Sequence, residues 1–207
     1  DGSFPTITKG QPAVTGLCAM AFMAHGHLPG EGEYGQQLEN ALNYVASCQK
    51  RSGIIGLIAP NSASINRNVP HEVGWKTSYN HAISTLALSE GFTTGRGLDV
   101  KRMEHVISKA LDATQEMQRW RKNRKEDLGG WRYVNRFRDG LDSDLSVTGW
   151  YLMSLRSAKN AGFDVPKESI DSAVGYIGRC FHRQYGTYKL MANNDMRIRR
   201  GMAGAGI

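Results

Sequence analysis

The feature that most constrains the fold of this chain is an internal repeat of about 66 residues. The triplet Val14-Thr15-Gly16 recurs as Val147-Thr148-Gly149, 133 residues further along, which places a third copy near the midpoint. That copy is present, because Met20-Ala21-Phe22, Leu86-Ala87-Leu88 and Met153-Ser154-Leu155 align at spacings of 66 and 67 residues. A unit repeated in this way buries its apolar face against its neighbours, so the sequence predicts an array of similar units.

Each copy of the repeat predicts two helices of different character. The first helices, at about 12–26, 78–91 and 145–161, are rich in small residues and carry apolar residues on more than one face. That composition is typical of a helix packed on two sides. The second helices, at about 34–50, 100–121 and 167–182, are amphipathic with the spacing of one apolar face.

The sequence therefore predicts an all-α domain made of helix pairs, each with one buried helix and one outer helix. We expect a single domain over residues 1–207, with repeats at roughly 11–56, 77–133 and 144–190 and a fourth helix starting at 201. The chain lacks an initial Met and closes on Gly201–Ile207, which resembles the start of a helix, so we expect it to be part of a longer protein.

Glycine and proline mark the predicted joints between helices. Gly91, Gly162 and Gly26 are expected to end the first helices. Pro166 is expected to open the last second helix, and Pro29 lies near the equivalent point of the first copy. The intervening segment 53–76 has no regular pattern, which predicts either a functional loop or a flexible insertion.

Composition excludes several classes of protein. No apolar run approaches the roughly 18 residues that would predict a membrane span. Cys18, Cys48 and Cys180 lie far apart within apolar helical patterns, which predicts buried free thiols, and the six His residues are not at zinc-ligand spacing. We therefore expect no metal site and no cofactor.

The net charge of +7 leaves two interpretations open. Clustered cations favour a small anionic ligand, such as a diphosphate or an acidic glycan. Alternatively they are solvated helix faces and helix C-termini. Nucleic acid is not expected, because no groove-reading element or stacking motif is present. The clusters are Arg119, Arg121, Lys122, Arg124 and Lys125; Arg132, Arg136 and Arg138; and Arg197, Arg199 and Arg200.

The ends of the second helices resemble a known family. Gln49-Lys50 and Gln118-Arg119 precede Gly-Gly-Trp or Gly-x-Tyr segments, and this resembles the Gln-Trp-type repeats of squalene–hopene cyclases. The stretches 78–90 and 129–150 are similar to bacterial squalene-cyclase-like proteins with prenyltransferase repeats. The resemblance covers nearly the whole chain. It implies an α/α toroid, here a partial barrel of about three helix pairs, whose inner helices surround a central cavity.

The acidic stretch Asp142-Ser143-Asp144-Leu145 corresponds to the Asp-x-Asp-Asp signature of those cyclases. The resemblance implies that the last Asp protonates an alkene, which requires a strong acid in a dry pocket. Leu145 occupies that position here. Asp144 is instead expected to cap the N-terminus of its helix, with a catalytic role in proton donation as the alternative, and the repeat places Thr77 and Gln11 at the same point. Asp142 is the other candidate catalytic carboxylate, with a loop contact to Arg136 or Arg138 as the alternative.

Protein prenyltransferase β-subunits share the toroid and hold zinc with an Asp-x-Cys pair. Asp142 matches the Asp of that pair, but Asp144 replaces the Cys. A catalytic zinc needs three protein ligands and an open position. The resemblance therefore does not imply a zinc site in this chain.

His81 is the candidate acid or base at the start of an inner helix, with a hydrogen-bonded packing role as the alternative. Aromatic walls in the cyclases stabilise carbocations through their ring faces, and Trp75, Trp131, Tyr133 and Trp150 could form one. Trp131 is instead expected to fill the joint between helix pairs, and both roles stay open for Trp150. The residues expected to line the cavity are Tyr79, Asn80, Thr15, Thr148, Trp150, Arg132 and Tyr133.

Three functions remain open from the sequence. The first is a squalene-cyclase-like protein that binds or transforms an isoprenoid-type ligand, with its acid motif not intact. The second is a non-catalytic repeat domain for a protein partner, a polymer or further repeats of the same chain. The third is a toroid polysaccharide lyase or glycosidase that uses the Arg cluster as its anion site.

Overall fold

The computed structural model describes residues 1–94, 97–136, 142–193, 198 and 200–206. It is mostly helical, which confirms the prediction of an all-α fold class. A short two-stranded antiparallel pair, β1 (Phe181–His182) and β2 (Thr187–Tyr188), follows the sixth helix. The helices are α1 (Ala13–Ala24), α2 (Gly35–Ser47), α3 (His71–Thr93), α4 (Val100–Arg119), α5 (Leu145–Asn160), α6 (Lys167–Cys180) and α7 (Arg200–Gly206).

The helices form two layers. In the first layer α3 lies between α1 and α5, and α7 continues the row by contacting α5. In the second layer α2 contacts both α1 and α3, α4 contacts α3 and α5, and α6 contacts α5 and α7. Each second helix therefore covers the seam between two first helices, which explains why α2, α4 and α6 are amphipathic while α3 is buried on nearly all sides.

Helix α3 departs most from the sequence prediction. It begins at His71 rather than near 78, so the preceding loop is shorter than expected, and it continues to Thr93. Gly91 does not end it. A Cβ at Gly91 would lie 2.5 Å from Leu42 Cδ1, so this glycine allows α2 to approach α3 closely. By contrast, Gly26 and Gly162 follow α1 and α5 with φ of 92°, as predicted.

Pro166 and Pro29 lie at different distances from the helices that follow them. Pro166 directly precedes α6, which confirms its expected place at the helix start. Pro29 lies in the loop before α2, whose N-cap is Tyr34, so it does not directly precede its helix as Pro166 does. The three cysteines are free, with Cys48 and Cys180 buried and Cys18 half-buried.

Three glycines with positive φ join the layers at equivalent points. Gly2, Gly53 and Gly129 have φ of 88°, 87° and 85°. A Cβ at these positions would lie 2.3, 2.3 and 2.1 Å from the carbonyl oxygens of Asn40 in α2, Lys109 in α4 and Ser172 in α6. Both the backbone conformation and the close approach require glycine, so each segment lies directly against a second helix.

Two glutamines form hydrogen bonds at the joints of Gly53 and Gly129. Gln49 Nε2 donates to the carbonyls of Gly53 at 3.2 Å and Val106 at 2.7 Å. Gln118 Nε2 donates in the same way to Gly129 and Ser169, both at 2.8 Å. One side-chain amide thus ties the end of a second helix to the glycine segment and to the next second helix.

The glycine joint gives a direct test. Gly129→Ala should lower the free energy of unfolding by more than about 2 kcal/mol, because it adds a backbone penalty and a clash with α6. Urea unfolding followed by far-UV circular dichroism measures this.

Gly186→Ala is the matched control for this prediction. Gly186 also has positive φ, at 58°, but a Cβ there would meet nothing within 4 Å. Only the backbone penalty of about 1 kcal/mol remains. Equal losses in the two variants would contradict the packing role of Gly129.

Candidate functional site

Asp144 caps helix α5. One oxygen, Oδ1, accepts from Val147 N at 2.9 Å and from Ser146 Oγ at 2.7 Å, and the residue is 1% exposed. Burial raises the pKa of the carboxyl, and the two hydrogen bonds oppose that rise. This confirms the capping prediction. Thr77 and Gln11 do not share this role, because Thr77 lies inside α3 and Gln11 bonds to Thr15 and Phe4 instead of capping α1.

Asp142 lies in the segment before α5 and is held by Asn123. Its Oδ2 accepts from Asn123 N at 2.7 Å and from Asn123 Nδ2 at 2.9 Å. The expected bond to Arg136 is not formed, and Arg138 lies outside the described residues. Lys122 Nζ donates to the Asp142 carbonyl at 3.2 Å, and burial lowers the pKa of Lys122 to about 8.

His81 belongs to the joints rather than to a cavity. The repeat aligns it with Thr15 and Thr148, and all three are fully buried. Thr15 Oγ1, His81 Nδ1 and Thr148 Oγ1 accept from the backbone N–H groups of Phe4, Ile55 and Trp131 at 3.0, 3.1 and 3.0 Å. Each of these N–H groups lies two residues beyond a joint glycine.

The hydrogen bonds of His81 fix its tautomer. Because Nδ1 accepts from Ile55, the proton lies on Nε2, which is 3.1 Å from Thr114 Oγ1. Burial lowers the pKa of His81 to about 3. The imidazole is therefore neutral at ordinary pH, and the geometry favours packing over acid–base chemistry.

The remaining residues predicted for the cavity have separate roles. Asn80 ties α3 to α1, because Oδ1 accepts from Ala13 N at 2.9 Å and Nδ2 donates to Lys9 O at 3.2 Å. Tyr79 Oη lies 2.9 Å from Ser146 Oγ, and burial, followed by the charge of Asp144, raises its pKa to about 12. These side chains stabilise contacts between first helices.

The aromatic residues that were predicted to form one wall lie in separate places. Trp131 packs flat on Tyr151, with ring centroids 5.1 Å apart, and donates from Nε1 to Thr114 O, so it fills the joint. Tyr133 lies beside Tyr79, with centroids 6.4 Å apart, and Arg132 lies 5.8 Å from the Tyr133 ring. Trp150 faces a different groove, between α5, α6 and α7. The predicted site residues do not surround one cavity.

A large apolar cavity lies across the C-terminal halves of α1, α3 and α5. It has a volume of about 770 Å³. Met20, Leu86 and Met153, which open the three aligned triplets, contact it together with Met23 and Leu152. The signal that could have located it was therefore in the sequence, as an apolar side chain at the same repeat position in all three copies.

The cavity is apolar below and polar at its edge. Glu90 and Arg156 are exposed at this edge, beside Thr93, Thr94 and Asn160. Among the described lining residues there is no aromatic ring, and Glu90 is the only carboxylate. The lining can bind an apolar molecule, but it offers no acid held in a dry environment and no ring face for a cation.

Within the described ranges, no group of three His, Cys, Asp or Glu side chains could hold a metal ion, and no helix is both long and apolar enough to cross a bilayer. No protein-family model and no curated protein matches the chain.

The capping role of Asp144 predicts a graded response to substitution. Asp144→Asn should retain nearly all of the stability, because Asn also caps, whereas Asp144→Ala should lose about 1 kcal/mol of unfolding free energy. Urea titrations of the three proteins measure this. A loss in Asp144→Asn as large as that in Asp144→Ala would show that the charge, rather than the cap, is what α5 requires.

His81 predicts a dependence of stability on pH. The unfolded chain protonates His81 near pH 6.5, whereas the folded protein does so only near pH 3. Its stabilising contribution is therefore complete above about pH 6.5 and is lost as the pH falls toward 3. As the pH falls from 7 to 5, the titration of His81 should lower the unfolding free energy of the wild type by about 2 kcal/mol.

His81→Thr removes the titration and restores the residue type of the other two repeats. From pH 7 to pH 5, the unfolding free energy of this variant should fall by about 2 kcal/mol less than that of the wild type. Parallel pH profiles for the two proteins would contradict a neutral, buried His81.

Proposed function

We propose that this chain is part of an α/α toroid of the squalene-cyclase type, and that it binds an apolar, isoprenoid-type ligand without cyclising it. The observation that carries this proposal is the placement of Met20, Leu86 and Met153, from equivalent positions of three repeats, on one cavity. Met153 is exposed, Met20 is half-buried and Leu86 is buried, so two of the three apolar side chains remain accessible to a ligand.

The size and chemistry of the cavity support a small apolar ligand. A volume of about 770 Å³ lies within the range of small-molecule sites. Methionine side chains adapt to irregular apolar shapes, and three of them contact the cavity: Met20, Met23 and Met153. Each methylene group of the ligand removed from water would contribute about 0.8 kcal/mol.

The same geometry argues against cyclisation. Alkene protonation needs a carboxylic acid that faces the substrate. Asp144 faces its own helix amides, and Leu145, at the position of the cyclase acid, is fully buried. The cavity lining also lacks the rings that would stabilise a carbocation.

A protein partner is the second candidate, favoured by exposed apolar side chains on the same side. Met153 is 45% exposed, and Leu17, one turn before Met20 on α1, is 40% exposed. Such residues would be covered by another protein surface or by further repeats. A polysaccharide enzyme is not favoured, because the cleft shared by Arg132, Tyr133 and Asp142 has a volume of only about 10 Å³.

Farnesol binding tests the proposal. The wild type should bind farnesol saturably in isothermal titration calorimetry, and Met153→Asp should weaken binding about tenfold or more, because it places a charge beside the apolar chain. Leu128→Asp is the control, since Leu128 is 56% exposed but does not contact the cavity. It should bind like the wild type.

Two outcomes would overturn the ligand proposal. One is the absence of saturable farnesol binding to the wild type. The other is equal affinity in Met153→Asp and Leu128→Asp. If the wild type also self-associates and Met153→Asp abolishes that association, the protein-partner candidate replaces it.

A further inference from the structure

A second, polar groove lies beside the loop that precedes α3. It has a volume of about 600 Å³. Its charged lining residues are Arg67 and Arg136, and the neutral polar ones are Ser62, Ser64, Asn66 and Asn68. Among the described lining residues there is no carboxylate, so both charges that face the groove are positive.

Arg67 is held in place before any ligand arrives. Its guanidinium carbon lies 4.1 Å from the centroid of the Trp120 ring, and Nε donates to Val134 O at 3.4 Å. Its terminal nitrogens make no hydrogen bond to the described residues. Because the guanidinium of Arg67 already stacks on a ring, its terminal N–H groups can bind an anion with little further loss of side-chain entropy.

The charge on Arg67 is poorly compensated. Burial, and then the neighbouring charge of Arg136, lower the pKa of Arg67, while Asp142 acts in the opposite direction and more weakly. The carboxylate of Asp142 already accepts two hydrogen bonds from Asn123. Lys122, a further cation near Arg67, donates to two backbone carbonyls and, among the described residues, to no carboxylate.

The loop adds neutral donors. Ser62 Oγ donates to Ser64 O at 2.7 Å, and Asn66 Oδ1 accepts from Asn68 N at 2.8 Å, so the loop is ordered by its own side chains. The amide NH₂ of Asn66 therefore remains available beside the two guanidinium groups.

We propose that Arg67 and Arg136 form a binding site for a phosphate or pyrophosphate group. Two guanidinium forks and neighbouring neutral donors suit a tetrahedral oxyanion, which accepts several charge-assisted hydrogen bonds. The site is distinct from the apolar cavity. Val134 contacts α3 near Gly74, whereas the cavity contacts α3 from Leu86 onward, roughly 20 Å along a helix axis.

The test is a titration of the ¹⁵N-labelled protein with inorganic pyrophosphate in chloride buffer, following the arginine Nε–H signals. The wild type should show saturable shifts at Arg67. Arg136→Gln, at an exposed position, should weaken binding about tenfold or more without loss of stability. Arg67→Lys keeps the charge but loses the fork, and should also weaken binding.

Arg119→Gln is the matched control, because Arg119 is exposed on α4 and does not line the groove. It should bind pyrophosphate like the wild type. The proposal is overturned if the wild type shows no saturable shift, or if Arg119→Gln and Arg136→Gln weaken binding equally.

A parallel titration with a short alkyl diphosphate distinguishes two sources of the anion. Tighter binding than inorganic pyrophosphate indicates a phosphate group carried on an organic molecule, and equal binding indicates the free anion. Both results support the site. Because neither probe needs the apolar cavity, the outcome is independent of the farnesol experiment.

Discussion

The structure depends on a joint that brings a polypeptide backbone into direct contact with a helix. At Gly53 and Gly129 a chain with positive φ lies against a carbonyl of the next second helix. That approach is possible only without a Cβ, and it would leave backbone groups buried without partners if nothing satisfied them. Gln49 and Gln118 donate hydrogen bonds to the carbonyls of these two glycines. His81 and Thr148 accept hydrogen bonds from the backbone N–H groups two residues beyond the glycines. The two layers can then pack without buried, unpaired amides at these points.

This joint explains why the polar residues at the helix starts do not form a catalytic site. His81 and Thr148 face the second layer because they accept hydrogen bonds there. Leu86 and Met153 lie five residues further along the same helices. At about 100° per residue, five positions turn a side chain by roughly 140°, so they face the opposite side of the layer. Joint and cavity are therefore opposite faces of the same helices, and polar residues needed for one are absent from the other.

How far the sequence predicts this molecule varies from element to element. The ends of α2, α4 and α5 lie within a few residues of their predicted positions, because amphipathic spacing and the cap at Asp144 are local signals. The start of α3 was misplaced because its first turn was aligned to shorter helices in the other copies. Gly91 has the sequence appearance of a helix end, but it is a contact with Leu42, which only the tertiary structure reveals. The groove at Arg67 was missed because its two arginines are far apart in sequence.

The two proposed sites also fit the electrostatics of the first layer. The apolar cavity lies at the C-terminal ends of α1, α3 and α5, where exposed carbonyls make the potential slightly negative. The groove of Arg67 lies beside the N-terminal half of α3, where the potential is positive. The helix ends therefore disfavour an anionic head group at the cavity, although the positive charge of Arg156 acts locally in the opposite direction. At the groove they favour an anionic head group. This polarity is why a neutral isoprenoid alcohol is the appropriate probe for the first site and a phosphate anion for the second.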